Sequence, residues 1–482
     1  MSESLPWVVV GSGPSGCAAV EALIRRGITP VVLDGGIEAV CESETLAMGT
    51  RTDPGKKAWF GSVAPFEQPA ESGILYTPGV LARASFGRGG FSRVWGATVD
   101  FPRDWSRWSE ETRPTPEDFE ALTELLPRAT TAWGDDIHWG RDKVPGAPVS
   151  GRAYARFRRA AEDRSWTAEP SVVAIDTRLT SSASCRPCAE CLSGCRRDSI
   201  WFSGDQISMR HRDHLIDYRP GMLVRRIEEF EGDVLIHLRF PDGSPGQIRA
   251  ERVLIAAGPI SSASIAVTSK MVGSLRIRDT ATAFTAAVAL RPEPKSLGLH
   301  HGLSQWWIKG PNETFLAQVY APTSEHAPRI AARLPGGDRW VRPAKFLARQ
   351  IHPVVAYLSM SASDCLLVEG VDGGSRVTVQ PTERSRENFV SSLVTLSRMF
   401  RRSGYVMPVK AAELTPAGTG YHMGASMPHG VGSDALGRLP GWRRTHFVDA
   451  SVVPEIGVGS ITPTVMLNAL RIARQCADGA AA

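Results

Sequence analysis

Hydrophobic positions at the start of the chain follow a strand pattern, then a helix pattern, then a strand pattern again. Residues 7–10 form a short apolar run rich in β-branched side chains, which predicts a buried strand. After a glycine-rich turn, Ala19, Ala22 and Leu23 recur at helical spacing. Residues 29–33 predict a second buried strand. The opening of the chain therefore predicts a strand–helix–strand unit.

Farther along the chain, the pattern of apolar residues predicts two different kinds of structure. Short apolar runs at 222–224, 234–238 and 253–258 predict further strands. From about residue 276, several strand-like runs separated by turn signals predict an antiparallel sheet, at 282–290, 302–309, 314–320, 354–360 and 376–380. Amphipathic or capped patterns predict helices that start at Pro116 and that span 387–402 and 464–477.

The turn between the first strand and the first helix has the pattern Gly-x-Gly-x-x-Gly. In such a motif Gly11 permits the tight turn, Gly13 lets a pyrophosphate approach the backbone, and Gly16 lets the helix pack closely on the sheet. The helix N-terminus then offers free N–H groups and a positive dipole end to an anion. Asp34, at the end of the second strand, can accept hydrogen bonds from a ribose. The motif predicts a dinucleotide site, but alone it does not separate FAD from NAD.

Composition narrows the class of protein. The chain has 482 residues, 42% of them hydrophobic and 22% charged, which is ordinary for a globular enzyme of two or three domains. The net charge of +5 is spread along the chain without a basic run interleaved with aromatic residues, so we expect no nucleic-acid partner. No signal peptide or long apolar run is evident, so we expect no membrane segment and a cytoplasmic location.

Three further stretches are candidates for chemistry. Residues 85–97 contain four glycines, which suits a backbone packed against a flat or charged ligand. A glycine-rich loop that binds no ligand is the alternative interpretation. His422 lies in a segment with Gly418, Gly420 and Gly424. Because the ordinary pKa of histidine is near neutrality, His422 is a candidate general base, with a plain loop histidine as the alternative.

Four cysteines, Cys185, Cys188, Cys191 and Cys195, follow one another at ferredoxin spacing. A [4Fe–4S] cluster here would need either a strained local fourth ligand or a distant cysteine such as Cys365. Zinc, which also favours four thiolates, is a second interpretation. Structural cysteines, reduced or disulfide-linked, are the third.

These segments together resemble the glucose–methanol–choline (GMC) flavoprotein oxidoreductases over nearly the whole chain, and in particular a bacterial subgroup with a C-x2-C-x2-C-x3-C stretch. The resemblance rests on five segments in the same order, which are 11–16 with Asp34, 89–96, 256–258, 421–427 and 448–454. It implies FAD, covalently or non-covalently bound, and oxidation of an alcohol with hydride transfer to flavin N5.

The fold class that follows is α/β, or α+β overall. We expect a Rossmann-like FAD-binding domain assembled from the separated segments 1–140, 196–275 and 415–482. We expect a cysteine-containing insert at 141–195 and an antiparallel-sheet substrate-binding domain at 276–414. The resemblance implies that the cofactor contacts Gly11, Gly13, Pro14, Ser15, Gly16, Asp34, Gly89, Gly90, Ser92, Val224, Ala257, Gly258, Asp449, Ala450 and Thr462.

The sequence departs from the family pattern at two places. Many relatives read H-x-x-G-T, whereas here His422 stands only two positions before Gly424, so that Tyr421 can take the place of the histidine. Relatives also carry a second histidine or an asparagine before the last helix, where this chain has Thr462. The pairs at 300–301 (His-His) and 306–307 (Trp-Trp) could line the pocket, or could be ordinary strand residues.

The function expected from these features is FAD-dependent oxidation of a small-molecule alcohol, such as a sugar, a glycoside or another polyhydroxylated metabolite. His422, Thr462 and Tyr421 are the candidate catalytic residues. The alternatives are an electron-transfer flavoprotein, with an iron–sulfur site and a redox partner protein, and a flavin-binding scaffold without turnover.

Overall fold

A computed structural model describes most of the chain. The residues that it describes are 4–36, 68–102, 105–127 and those between 129 and 481 other than 131–141, 144–150, 163, 179–180, 187, 189–190, 192–194, 196, 291–301, 323–326, 328–330, 332–334, 360–364, 381–382, 417 and 419.

The strands within these residues are numbered along the chain as β1 (Leu5–Val10), β2 (Val31–Leu33), β3 (Ile74–Tyr76), β4 (Ala129–Thr130), β5 (Asp142–Lys143), β6 (Thr167–Pro170), β7 (Val172–Val173), β8 (Asp217–Arg219), β9 (Leu223–Glu229), β10 (Val234–Arg239), β11 (Pro245–Ile255), β12 (Ser274–Asp279), β13 (Ala281–Ala289), β14 (Ser304–Lys309), β15 (Phe315–Tyr320), β16 (Ile351–Leu358), β17 (Cys365–Val371), β18 (Gly374–Gln380), β19 (Tyr405–Val406), β20 (Glu413–Leu414), β21 (Met423–Gly424) and β22 (Thr445–Phe447). The helices are α1 (Pro14–Ile24), α2 (Pro116–Leu125), α3 (Gly151–Glu162), α4 (Ser203–Arg212), α5 (Pro259–Thr268), α6 (Val341–Ala348), α7 (Glu383–Arg402) and α8 (Ile461–Ala481).

The first sheet is built around β1, which pairs in parallel with β2 on one side and with β11 on the other. β8 lies beyond β2, and β22 runs parallel to the last residues of β11. The first half of β11 pairs antiparallel with β10, and β10 pairs with β9. α1 and α8 pack against each other. Val8, Val9 and Leu33 are fully buried, as expected for parallel strands whose two faces are covered.

The second large sheet is antiparallel, in the order β19-β13-β16-β15-β14-β6, with β20 also paired to β13. One face of this sheet packs against α3 and α7. Phe157 of α3 and Phe400 of α7 meet Trp306 of β14 in this core. The side chains that alternate to the opposite face are therefore free to form the wall of a site.

A third sheet has the order β21-β12-β17-β18-β3, with β3 parallel to β18 and the other pairs antiparallel. It draws its strands from early, middle and late parts of the chain. β21 carries Met423 and Gly424, directly after His422, so this sheet fixes one end of the candidate catalytic loop.

The mixed α/β architecture with separate sheets is as predicted. Four of the five strands predicted for the antiparallel sheet lie in it, whereas the fifth, at 376–380, is part of β18 in the third sheet. Three further features differ from expectation. The last helix begins at Ile461, so that Thr462 lies in its first turn, and the third sheet was not predicted. α3 lies in a stretch whose many arginines obscure the helical spacing of its buried residues Phe157, Ala160 and Ala161. Among the helices described, none combines the length and the apolar character needed to cross a membrane.

Candidate functional site

The turn from β1 to α1 leaves its backbone open on one side. Gly11 adopts a φ of 102°, and an added Cβ there would lie 2.5 Å from the carbonyl oxygen of Ala256. A Cβ on Gly16 would lie 2.0 Å from the carbonyl oxygen of Gly11. No side chain caps α1 at Gly13, and Pro14 occupies the first helical position. The open N–H groups of this helix end can therefore hold an anionic group.

Asp34 lies at the end of β2, where its carboxylate is held by two protein groups. It accepts a hydrogen bond from the hydroxyl of Ser12 at 2.6 Å and another from the hydroxyl of Tyr218 at 2.9 Å. Burial raises the pKa of Asp34, and the hydrogen bonds from Ser12 and Tyr218 act in the opposite direction. The carboxylate borders a large cavity, so a ligand hydroxyl there can reach an oriented acceptor.

The second glycine loop packs against the first. The N–H of Gly89 donates to the hydroxyl of Ser12 at 2.8 Å, and the hydroxyl of Ser92 donates to the carbonyl of Gly89 at 2.6 Å. A Cβ on Gly90 would lie 3.5 Å from the Cα of Gly13. The two glycine loops thus pack directly on each other, and Gly13 and Gly90 both border the same cavity.

Asp449 joins two other parts of the site. Its carboxylate accepts the N–H of Gly258 at 2.8 Å, the hydroxyl of Ser262 at 2.5 Å and the N–H of Ser451 at 2.9 Å. Burial raises the pKa of Asp449, and these donors lower it. The network fixes the start of α5 beside Ala450.

These segments enclose one cavity of about 600 Å³, within the size range of small-molecule and cofactor sites. Thirteen of the fifteen residues expected to contact the cofactor line it, namely Gly11, Gly13, Pro14, Ser15, Asp34, Gly90, Ser92, Val224, Ala257, Gly258, Asp449, Ala450 and Thr462. Gly16 and Gly89 lie behind this lining, where each makes close backbone packing possible.

A dinucleotide fits this arrangement of groups. The uncapped N-terminus of α1 and the bare backbone at Gly13 suit a pyrophosphate, and the carboxylate of Asp34 suits a ribose. The apolar edge at Val224 suits an adenine. The residues present are therefore those that FAD would require.

His422 borders the other end of the same cavity. Its imidazole stacks on the ring of Tyr357, with the ring centroids 4.8 Å apart and the planes 11° from parallel. Nδ1 is buried and has no hydrogen-bond partner among the described residues. Burial lowers the pKa of His422 to about 4, so the imidazole is neutral near pH 7.

The loop before His422 is held by close backbone contacts. A Cβ on Gly420 would lie 2.1 Å from the carbonyl oxygen of Thr280, and one on Gly424 would lie 2.3 Å from that of Ala450. Tyr421 adopts a φ of 54°, which is uncommon for a residue other than glycine. Its ring lies against Phe91 with centroids 5.1 Å apart, and burial raises its pKa.

The inward face of the antiparallel sheet forms the cavity wall opposite the glycine loops. Its members are uncharged, and they are Thr282, Phe284, Gln318, Tyr320, Val355 and Tyr357. The hydroxyl of Tyr320 donates to the side-chain oxygen of Gln318 at 3.0 Å. An uncharged wall of this kind favours a substrate without a net charge.

The tryptophan and histidine pairs of the same region do not form this wall. Trp306 is buried on the opposite face of the sheet, and the indole N–H of Trp307 donates to Glu169 at 3.2 Å. Neither borders the cavity, so of the two interpretations, the one of ordinary strand residues fits the tryptophans. Residues 300–301 lie outside the described residues.

The four cysteines lie in one segment, and Cys185, Cys191 and Cys195 pack against the hydrophobic core that contains β1 and β11. The Sγ atoms of Cys191 and Cys195 accept N–H groups at 3.2 and 3.3 Å. Burial raises the pKa of Cys185 to about 12, so metal binding there would have to displace the thiol proton. In the part of the chain described, no three His, Cys, Asp or Glu side chains are arranged to hold a metal ion. The iron–sulfur site gains no support here and stays a prediction that iron, sulfide and zinc analysis tests.

Comparison with solved structures finds a similar fold. The chain is similar to pyridoxine 4-oxidase from Mesorbium loti, with a TM-score of 0.57 and 14% sequence identity. The alignment covers 98% of this chain and 99% of that one, so the two share a fold over their whole length. No model of a known protein family matches the sequence, and no curated protein matches it.

Several residues of the site were not singled out by sequence reasoning. Ser12 and Tyr218 hold Asp34, and Tyr357 and Gln318 line the cavity wall formed by the antiparallel sheet. Ser12 lies within the glycine motif, so its position was a usable signal. The other three are ordinary strand residues whose partners are far away in sequence, so no local pattern marks them.

Proposed function

We propose that the protein binds FAD and oxidises the alcohol group of a small molecule to an aldehyde or ketone, with His422 as the base. The observation that carries the proposal is that one cavity joins the dinucleotide motif to a half-buried histidine that is neutral near pH 7. The fold shared with pyridoxine 4-oxidase, an oxidase by name, supports it. The substrates expected are sugars, glycosides or other polyhydroxylated metabolites.

Groups from four parts of the chain would hold the cofactor. The N–H groups of α1 would bind the pyrophosphate, and Asp34 would bind the ribose. Gly90 and Ala450 would lie along the flavin side. FAD, when bound, supplies the acceptor for the hydride.

His422 would take the hydroxyl proton of the alcohol on Nε2, since Nδ1 is buried. The carbon that carries the hydroxyl loses a hydride in the same event, so the alcohol is oxidised by two electrons to the carbonyl product. Removal of the proton by a positioned base makes this loss easier. Thr462 can donate or accept a hydrogen bond and would orient the substrate oxygen, and Tyr421 would limit the space beside it.

Anaerobic mixing of the purified protein with candidate alcohols tests the proposal. We expect the protein to be yellow, to release FAD on denaturation unless the flavin is covalently attached, and to lose its flavin absorbance when the substrate is added. A scaffold without turnover would keep its absorbance with every alcohol. A colourless protein that FAD does not reconstitute would rule the proposal out.

A further inference from the structure

The surroundings of His422 are unusual for a general base. In catalytic sites that use histidine, the ring nitrogen away from the substrate usually donates to a carboxylate or carbonyl, which orients the ring and stabilises the imidazolium. Here Nδ1 is buried and no described atom accepts a hydrogen bond from it. The backbone of His422 is fixed by the N–H of Thr280, which donates to its carbonyl at 3.3 Å, but this bond does not act on the ring.

The contact that does act on the ring is Tyr357. The two rings are nearly parallel, at 11°, with centroids 4.8 Å apart, which is stacking distance. The face of a phenol ring carries negative charge density, so a cation within about 6 Å of its centroid is stabilised. A proton taken up by His422 would therefore place a cation over the face of Tyr357.

Tyr357 is well placed to keep this geometry. It lies within β16, where its backbone pairs with Thr282 of β13 and Leu316 of β15. A residue in a central strand is fixed on both sides, so its ring forms a rigid platform. The imidazole, by contrast, is carried by a loop.

The charged groups near this loop do not stabilise the protonated ring of His422 in place of Tyr357. Asp279 accepts the N–H of Gly420 at 2.9 Å, and the positive charge of Arg83 acts on Tyr421. The pKa of His422 is lowered by burial, with no contribution from either group. The other titratable neighbour is Tyr320, which interacts with Tyr357, and burial raises the pKa of both, so they stay neutral.

We infer that Tyr357 is a positioning residue, which holds the plane of the His422 ring and stabilises the imidazolium through its aromatic face, in place of a hydrogen-bonding partner. This inference rests on the proposed function. It assigns the effect to the ring of Tyr357 and not to its hydroxyl, so Tyr357→Phe should keep the role.

The test replaces Tyr357 with phenylalanine and with phenylalanines that carry one, two, three and five fluorine atoms, in the FAD-loaded protein. Fluorine withdraws charge from the ring face while its shape hardly changes. We expect anaerobic flavin reduction at pH 7.5 to slow step by step, by roughly 2- to 30-fold across the series. We also expect the fraction of charged His422 at pH 4.5, read from nitrogen-15 spectra, to fall in the same order. The His422 signal is identified by its absence from His422→Gln.

The matched control is the same fluorinated series at Phe157, which packs on Trp306 on the opposite face of the sheet and does not line the cavity. It should leave both readouts unchanged. Equal rates and equal charged fractions across the series at Tyr357 would overturn the inference. A rise in the pKa of His422 in Tyr357→Leu would also overturn the inference. Such a rise would mean that Tyr357 only keeps water away from the imidazole, because the smaller leucine would admit water and so stabilise the charged form. If no alcohol reduces the flavin in any variant, the proposed function fails, while the spectra still report on the stack.

Discussion

At the scale of single residues, the site depends on side chains that are held before any ligand arrives. Asp34 accepts hydrogen bonds from Ser12 and Tyr218, and Asp449 accepts three donors from its surroundings. Such contacts fix the acceptors in place, which reduces the entropy lost on binding. The sequence alone predicts Asp34 as a ribose acceptor, because its spacing from the glycine motif is local. Of its two donors, Ser12 lies within the glycine motif, whereas Tyr218 gave no signal because it lies on β8, far along the chain.

Asp34→Ala is expected to weaken FAD binding. A ribose hydroxyl loses a charged acceptor, a contribution of about 1.5–3 kcal/mol, and affinity should fall roughly 10- to 100-fold. Titration of the FAD-free protein with FAD, followed by fluorescence, measures this. Tyr218→Phe is the control, because it removes one donor and keeps the carboxylate. Wild-type affinity in Asp34→Ala would mean that the carboxylate does not contact the cofactor.

At the scale of elements, the loop that carries His422 is fixed by how closely backbones approach. Gly420 and Gly424 flank His422, and both lie against carbonyl groups with no room for a side chain. The glycines themselves marked this loop in the sequence as a ligand-facing segment. The sheet contacts that shape the loop were not evident, because β21 has two residues and pairs with β12, about 150 residues earlier.

Gly424→Ala is expected to destabilise the fold. The new Cβ would lie 2.3 Å from the carbonyl oxygen of Ala450, and relief of this overlap must move one of two packed backbones. A loss of about 1–3 kcal/mol in the free energy of unfolding is typical of such overpacking. Urea denaturation measures it. In the control, Gly457→Ala, nothing lies within 4 Å of the added Cβ, and the change should stay within about 0.5 kcal/mol.

His446 in β22 should make stability depend on pH. Burial lowers its pKa to about 4, whereas an unfolded histidine titrates near 6.5. Between these values the unfolded chain binds more protons, so the contribution of this group to stability falls as the pH falls from 6.5 to 4. In His446→Gln that contribution is absent, and the pH slope of unfolding free energy over this window should be shallower by up to about 1.4 kcal/mol per pH unit. Identical slopes in urea titrations at pH 7, 6 and 5 would contradict the assignment.

At the scale of the whole molecule, one cavity is assembled from segments that are hundreds of residues apart. The first unit, β1 to β2, was predictable because strand period, glycine spacing and helix period all occur within thirty residues. The antiparallel sheet was predictable as strands, but alternation alone does not say which face meets the cavity. The sequence left Trp306 as either a cavity residue or an ordinary strand residue, and it lies on the other face. Tyr357, on the face that lines the cavity, gave no signal. Pairing across distant strands decides this, and it is a tertiary effect.

The measurement that tests the central claim most directly is anaerobic stopped-flow reduction of the bound flavin by the substrate. His422→Ala should keep the fold and the FAD but reduce its flavin about 10²–10⁴-fold more slowly, the usual contribution of a general base. Tyr421→Phe should have a smaller effect, because a phenol is a weak base at neutral pH, and Thr462→Val should mainly weaken substrate positioning. A wild-type rate in His422→Ala together with an inactive Tyr421→Phe would contradict the account and assign the base to Tyr421.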